Sequence, residues 1–273
     1  MYDGWGDPDF DGSVQEFRVW NRPLTYDEIV ACDEAGPDEM PDWTPKPPVP
    51  IPLSALYRHW TFDTLSDEVA DVPVQLFGDT YLDSGALVIN GNGYTHVNYA
   101  QLSGNNFPTE YDGGITIELW QNTAARRNWT RVFDFGTDSN NYTFITTAAG
   151  SANTARAAVK CGSGESYVDS TYMTPGQRWH AAVVYDLTSQ AGKTLLSVCT
   201  FDPNGNLTTS NTTFNQDMAH AMSAWNINYL GRSFYQQDAD FTGSIYDFKI
   251  WSMMLSEEQL RALDTAGPDA LPQ

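Results

Sequence analysis

Basic residues are scarce in this chain: Lys and Arg number 14 against 35 Asp and Glu, for a formal net charge of −21. Such a surface repels a phosphate backbone at long range, so nucleic acid and anionic membrane are poor partners, whereas its carboxylates suit a hard cation such as Ca2+. No apolar run approaches the roughly 18 residues that a membrane helix needs, and membrane insertion is not expected. The opening MYDGWGDPDFDG lacks the basic-then-apolar pattern of a signal peptide, so an export signal, if used, lies outside these residues or has been removed. Cysteine is rare as well: Cys32, Cys161 and Cys199 stand too far apart in sequence for a zinc site. Cys161 and Cys199 lie on strand-like runs, ARAAVKC and TLLSVC, and are either bridged across a sheet or buried as thiols. His59, His96, His180 and His220 are scattered and fall in no triad or zinc motif.

What the chain does have is apolar material, 41% hydrophobic and 13% aromatic over 273 residues, enough for one large all-β domain with something added. The addition is an internal repeat. DPDFDGSVQEFRVWNRPLTYDEIVACDEAGPDEMP, residues 7–41, aligns without a gap on DADFTGSIYDFKIWSMMLSEEQLRALDTAGPDALP, residues 238–272, at an offset of 231. Asp7, Asp9, Phe10, Gly12, Ser13, Phe17, Trp20, Leu24, Ala31, Ala35, Gly36, Pro37, Asp38 and Pro41 are among the identities.

Each copy reads as a strand followed by a short helix. In the second, Ile245, Phe248, Ile250 and Trp251 form the strand's apolar run. Ser256 stands as helix N-cap with Gln259 three residues on, Leu255 and Leu260 are placed for a hydrophobic staple, and Gly267-Pro268 stops the helix. Leu24, Thr25, Glu28, Ile29 and Gly36-Pro37 repeat the device in the first copy.

The offset sets the length of one domain, so the chain divides into a strand-helix segment of a preceding repeat (1–41), a Pro-rich linker (42–53) and a complete domain (54–273). The orphan segment has three readings: a piece of a tandem array, docking onto the complete domain, or self-association in which residues 7–41 donate a strand to a neighbour.

From residue 54 short β-rich runs alternate with turn clusters, and no helical pattern alternates with them, which argues for an antiparallel sandwich. The expected strands are LYRHWTF, VPVQLF, ALVIN, YTHVNY, ITIELWQ, RVFDFG, YTFITT, ARAAVKC, RWHAAVVYD, TLLSVCTF, NINYLGR and GSIYDFKIW.

YRHWTFD, ALVINGNGYTHVNY, ITIELWQ, RVFDFGTDSNNYTF, QRWHAAVVYD, NYLGRS and FTGSIYDFKIWSMMLSEEQL, in that order, resemble the laminin-G-like modules of the concanavalin A-like superfamily. The last stretch is also similar to the ending of pentraxins, although the pentraxin acidic calcium loop has no counterpart. The resemblance implies an all-β, antiparallel jelly-roll β-sandwich with a short C-terminal helix. It also implies a structural Ca2+ between the first and last strands, at positions matching Asp63 and Asp247 with the Gly91 carbonyl; Glu16 keeps a carboxylate at the Asp247 position of the first copy.

The superfamily includes laminarinase-type hydrolases, which need two carboxylates flanking the scissile bond. The comparable strand here, ITIELWQ, offers Glu118 alone, so no enzyme is expected, and His180 is expected to be a satisfied structural residue. Sugar binding asks for an aromatic platform with polar groups around it. Trp129, Asp138, Asn140, Tyr142, Trp225 and Tyr235, in or near polar stretches, are the candidate ligand residues. The sequons at Asn128, Asn141, Asn206 and Asn211 mark surface positions. The expected function is non-catalytic recognition or adhesion, binding a glycan or a surface protein from an extracellular or surface-displayed position. A structural subunit of a virion, filament or surface layer is the main rival, and a glycoside hydrolase the more distant one.

Overall fold

The computed structural model describes residues 10–21, 24, 26–41, 50–162, 164–188, 193–215 and 218–271. They fall into two compact units, Met1–Pro48 and Val49–Gln273. In the first, helix α1 spans Tyr26–Ala35. The expected strand before it is not formed: residues 10–20 enter no ladder, because a strand needs a paired neighbour to satisfy its amides. The cap expected at Thr25 lies outside the described residues.

Among its described residues the second unit carries fifteen strands: β1 (Leu56–Trp60), β2 (Val74–Phe77), β3 (Thr80–Leu82), β4 (Leu87–Asn90), β5 (Tyr99–Leu102), β6 (Gly114–Thr123), β7 (Arg131–Asp138), β8 (Asn141–Thr146), β9 (Thr154–Cys161), β10 (Glu165–Thr171), β11 (Trp179–Asp186), β12 (Thr194–Phe201), β13 (Leu207–Phe214), β14 (Ile227–Leu230) and β15 (Thr242–Trp251). Helix α2 is Met218–Met222 and α3 is Glu257–Ala266. One sheet runs β13-β12-β11-β6-β15-β4-β3 with β1 also on β15, and the other runs β10-β9-β8-β7-β14-β5-β2. Every pair of named strands is antiparallel, and the two sheets make the expected jelly-roll sandwich.

Alternation fills the space between the sheets: Ile115, Ile117 and Leu119 of β6 face Phe133 and Phe135 of β7, with Val183 and Tyr185 of β11 beside them. Ile245 and Phe248 are three residues apart, which would put them on opposite faces of a regular strand. A bulge between Ile245 and Asp247 absorbs the extra residue and turns both inward. Each such side chain, taken fully from water, contributes roughly 1.5–3 kcal/mol.

Helix α3 seals the other side of the first sheet. Ser256 and Gln259 form the expected capping box. Leu255, Leu260 and Leu263 bury against Ala182, Val184, Cys199, Phe201 and Trp251, together with Ile51, Ala55 and Leu56. The end of the expected linker therefore belongs to the sandwich: Ile51 is buried, and the Pro50 carbonyl accepts from Gln259 Nε2 at 3.1 Å. The remainder of that linker, 42–49, lies outside the described residues.

One expectation changes here, and one open alternative is decided. YTHVNY is a strand only at its end, because the amides of Thr95 and His96 bond the buried Asp240 carboxylate instead of a ladder. Cys161 and Cys199 are not bridged: the Cys161 thiol meets Met218 Sδ at 3.3 Å on the inter-sheet side, while Cys199 lies beneath α3 on the far side of the other sheet.

Candidate functional site

The outer face of the first sheet holds a closed charged network. Lys249, fully buried, faces Asp247 and lies 3.7 Å from Glu118. Glu118 accepts from Trp251 Nε1 at 2.8 Å and stands 3.3 Å from His180 Nε2. His180 in turn places Nδ1 3.2 Å from Asp264 of α3 and stacks between Trp120 and Phe201. Burial alone would raise the Glu118 pKa, but Lys249, His180 and the Trp251 indole outweigh it and hold Glu118 at about 2. Burial likewise opposes charge on His180, and its two carboxylates win, raising its pKa. Glu118 is thereby held as a buried anion between Lys249 and His180.

Asp247 lies in this network. It accepts from His59 Nε2 at 2.9 Å and from the Asp269 amide at 3.0 Å besides meeting Lys249. The Gly91 carbonyl is elsewhere: Thr242 Oγ1 bonds it at 3.0 Å, and Thr242 is five residues from Asp247 along β15, roughly 15 Å at strand rise. Asp63 is exposed, and its charge reaches Asp269. His59, Asp247 and Asp269 do offer ligand atoms within 4.8 Å of one another. That set does not fit Ca2+, which takes six to eight oxygens, because it brings an imidazole and a carboxylate already neutralised by an ammonium. The trio expected at Asp63, Gly91 and Asp247 is not assembled.

The outer face of the second sheet is different. Strands β7, β8, β9, β10, β14 and β5 send their alternate residues outward there, and guanidinium groups lie flat on aromatic rings. Arg131 sits 3.5 Å above Phe144, 3.0 Å from Asp238 and 3.7 Å from Asp134. Arg156 sits 3.5 Å above Tyr167, with Trp129 at 5.4 Å, and forks onto Asp169 at 2.6 and 2.9 Å. Arg232 spans Tyr99 and Tyr229, at 4.6 and 4.7 Å, and Phe77 stacks on Tyr99 at 4.4 Å. Among the described residues Arg232 has no ion-pair partner, and its Nε donates to nothing.

Burial raises the Asp134 carboxyl to about 7, against Arg131 and the Phe234 amide, with Asp238 pushing the same way as burial. Burial raises Asp238 too. The Tyr142 hydroxyl donates to Glu165 and lies 3.2 Å from the Tyr235 hydroxyl; burial and these partners push its pKa up.

Five of the six expected ligand residues border this face. Tyr142 and Tyr235 form its middle, and Tyr235 donates to the Ser139 carbonyl at 3.0 Å. Asp138 caps the 138–141 turn through the Asn140 amide, and Asn140 Oδ1 takes a bond from Lys160. Trp129 lies beside Arg131 and Arg156. Trp225 does not belong: it is 2% exposed, packed edge-on to Phe107 in the core, because the short helix α2 turns it inward. Sequence reasoning missed Arg131, Arg156, Arg232, Tyr99, Tyr229 and Asp134. Their signal was alternation, since Arg156 and Lys160 interleave with inward-facing alanine and valine in ARAAVKC.

No curated protein sequence matches this chain. Among solved structures, domain 4 of AbnA, a GH43 extracellular arabinanase from Geobacillus stearothermophilus solved with arabinotriose, is similar at TM-score 0.53 and 18% identity, covering 76% of this chain and 97% of that one. The binding domain of botulinum neurotoxin serotype G is similar at 0.52 and 10%, covering 76% of this chain and 50% of that one. A Trypanosoma rangeli sialidase follows at 0.51 and 10%, covering 77% and 33%. At such identities these likenesses speak to the fold, which serves binding domains and enzymes alike. The family profile of the concanavalin A-like lectin/glucanases superfamily matches residues 91–261, most of the sandwich, and the chain belongs to that superfamily.

Proposed function

We propose that the sandwich is a non-catalytic recognition module that binds a glycan chain on the outer face of its second sheet, at the cell surface or outside the cell. The observation that carries this is the half-exposed platform of Phe77, Tyr99 and Tyr229 under the guanidinium of Arg232, which pairs with no described carboxylate. Aromatic rings accept the apolar face of a sugar, and a preoriented guanidinium bonds its hydroxyls or carboxylate. The arabinanase domain solved with arabinotriose shares this frame and lends support for a sugar of some kind, not for that sugar.

A hydrolase reading finds less support. Asp134 and Asp238 both face Arg131, and Glu118 is sealed beneath α3, so none of them is an available nucleophile beside a free acid. The test is a glycan-array screen of the intact protein, followed by titration of the best binder against Tyr99→Ala and Tyr229→Ala. Loss of binding with unchanged Tm is expected. Absence of any glycan binding, or release of reducing sugar from a polysaccharide, overturns the reading.

A further inference from the structure

In the sandwich, Phe241, Ile245, Phe248, Ile250 and Leu260 are fully buried. Their counterparts at the 231-residue offset, Phe10, Val14, Phe17, Val19 and Ile29, are 74%, 68%, 84%, 81% and 55% exposed. The pattern is that of a buried strand, down to the three-residue step from Val14 to Phe17 that matches the bulged step from Ile245 to Phe248.

Local geometry is copied too. Glu16 accepts the Asp38 amide at 2.9 Å, as Asp247 accepts the Asp269 amide at 3.0 Å. Arg18 pairs with Glu16 as Lys249 pairs with Asp247. Asp38 and Asp269 have φ of 66° and 63°. The Gly36 amide bonds the Asp33 carbonyl, and the Gly267 amide that of Asp264, at 3.2 Å in both cases; Asp33 and Asp264 are a further identity. Among the described residues the element therefore folds back on itself with no sheet attached.

Gly12 supplies an independent sign. At its counterpart Gly243 a Cβ would stand 2.1 Å from the Asn122 carbonyl of the neighbouring strand, whereas at Gly12 the three nearest atoms all belong to the far end of the Phe10 side chain, the closest at 2.7 Å, and none is backbone of a neighbouring strand. A glycine there answers to a strand that the described residues of the first unit do not contain.

We propose that residues 10–41 are the closing strand and helix of a second sandwich, and that their partner is a concanavalin A-like body lacking its own last strand. Residues 10–21 enter the slot between strands of the β6 kind and of the β4 and β1 kind, and α1 covers the outer face as α3 does. The partner's chemistry follows from the seated copy: an apolar slot for Phe10, Val14, Phe17 and Val19, a buried carboxylate facing Arg18 as Glu118 faces Lys249, and a histidine facing Asp33 as His180 faces Asp264. The slot of this chain's own sandwich is filled by β15, so a second copy is not the acceptor.

Three measurements test this. A full-length chimera in which residues 241–271 are replaced by residues 10–40 is expected to keep a cooperative thermal transition, and to lose it when the transplanted segment carries Phe17→Asp; a chimera that does not fold overturns the proposal. In the native chain, Glu16→Ala is expected to speed hydrogen exchange at the Asp38 amide by about tenfold with the sandwich Tm unmoved, and no change in exchange overturns the preformed element. Sedimentation of the native chain is expected to give a monomer; a dimer dissolved by Phe17→Asp makes a second copy the acceptor and overturns the stated partner.

Discussion

Lys249 and Arg156 each project from the outer face of a sheet of the same sandwich, yet their surroundings differ. Lys249 is sealed beneath α3 among Glu118, Asp247 and His180, whereas Arg156 lies flat on the exposed Tyr167 and forks onto Asp169. One face is closed by α3, whereas on the other the guanidinium and ring pairs are only partly covered. Stability is therefore expected to rest on the buried charges of either face and recognition on the half-exposed groups of the second, so substitutions at the two kinds of position should move different measurements.

The largest effect is expected on the closed face. Lys249→Met leaves Glu118 and Asp247 buried without their ammonium, and breaking one partner of a buried charge set costs about 3–5 kcal/mol. Urea denaturation should show this loss, while affinity for ligand in the remaining folded protein stays within experimental error. A loss below about 1 kcal/mol, the range of surface pairs, would mean that the network is wet and the contrast between faces is wrong.

Glu118 and Asp134, one on each face, should answer pH in opposite directions. Glu118 is held at about 2, below its ordinary 4.5, so its stabilisation is present above pH 4.5 and is lost as pH falls toward 2. Asp134 is raised to about 7 from 3.8, so the folded state holds an extra proton between those values and stability declines as pH climbs through that window. Asp134→Asn keeps an acceptor for the Phe234 amide and removes the buried charge. It is expected to flatten the decline and stabilise the protein at pH 8 by about 2 kcal/mol. An unchanged pH profile would place the Asp134 carboxylate in water.

These contrasts were unevenly legible in the sequence. The repeat, the α3 capping box and the inward run of ITIELWQ could be read because apolar periodicity and capping chemistry are local. Strands β10 and β13, ESYVDST and LTTSNTTF, escaped because edge strands are largely polar and leave little apolar signal. The platform escaped for another reason: Tyr99, Tyr229 and Arg232 are scattered in sequence and meet only when β14 pairs with β5. Trp225 was misplaced because its polar neighbours resemble a loop, and the one-turn helix that buries it leaves almost no pattern.

On the open face Arg232 separates recognition from stability. Arg232→Ala removes a cation that pairs with no described carboxylate, so Tm should shift little. Affinity for the glycan found on the array should fall about tenfold, near 1.4 kcal/mol. Arg232→Lys should recover only part of it, since a compact ammonium does not lie across two rings as a guanidinium does. Equal affinities for all three proteins would move the ligand off this platform, toward Trp129 and Arg156.

The smallest expected effect concerns calcium. Asp247 already receives His59, Lys249 and the Asp269 amide, and the Gly91 carbonyl is taken by Thr242 at the far end of β15. Excess EDTA should therefore leave the Tm within about one degree, and added Ca2+ should do no more, since a ligand stabilises only by binding the native state. A rise of several degrees with Ca2+ that Asp269→Asn abolishes would show that His59, Asp247 and Asp269 do gather an ion. Lys249 would then have to leave Asp247, and the closed face would be a cation site with its own lysine standing in for the metal.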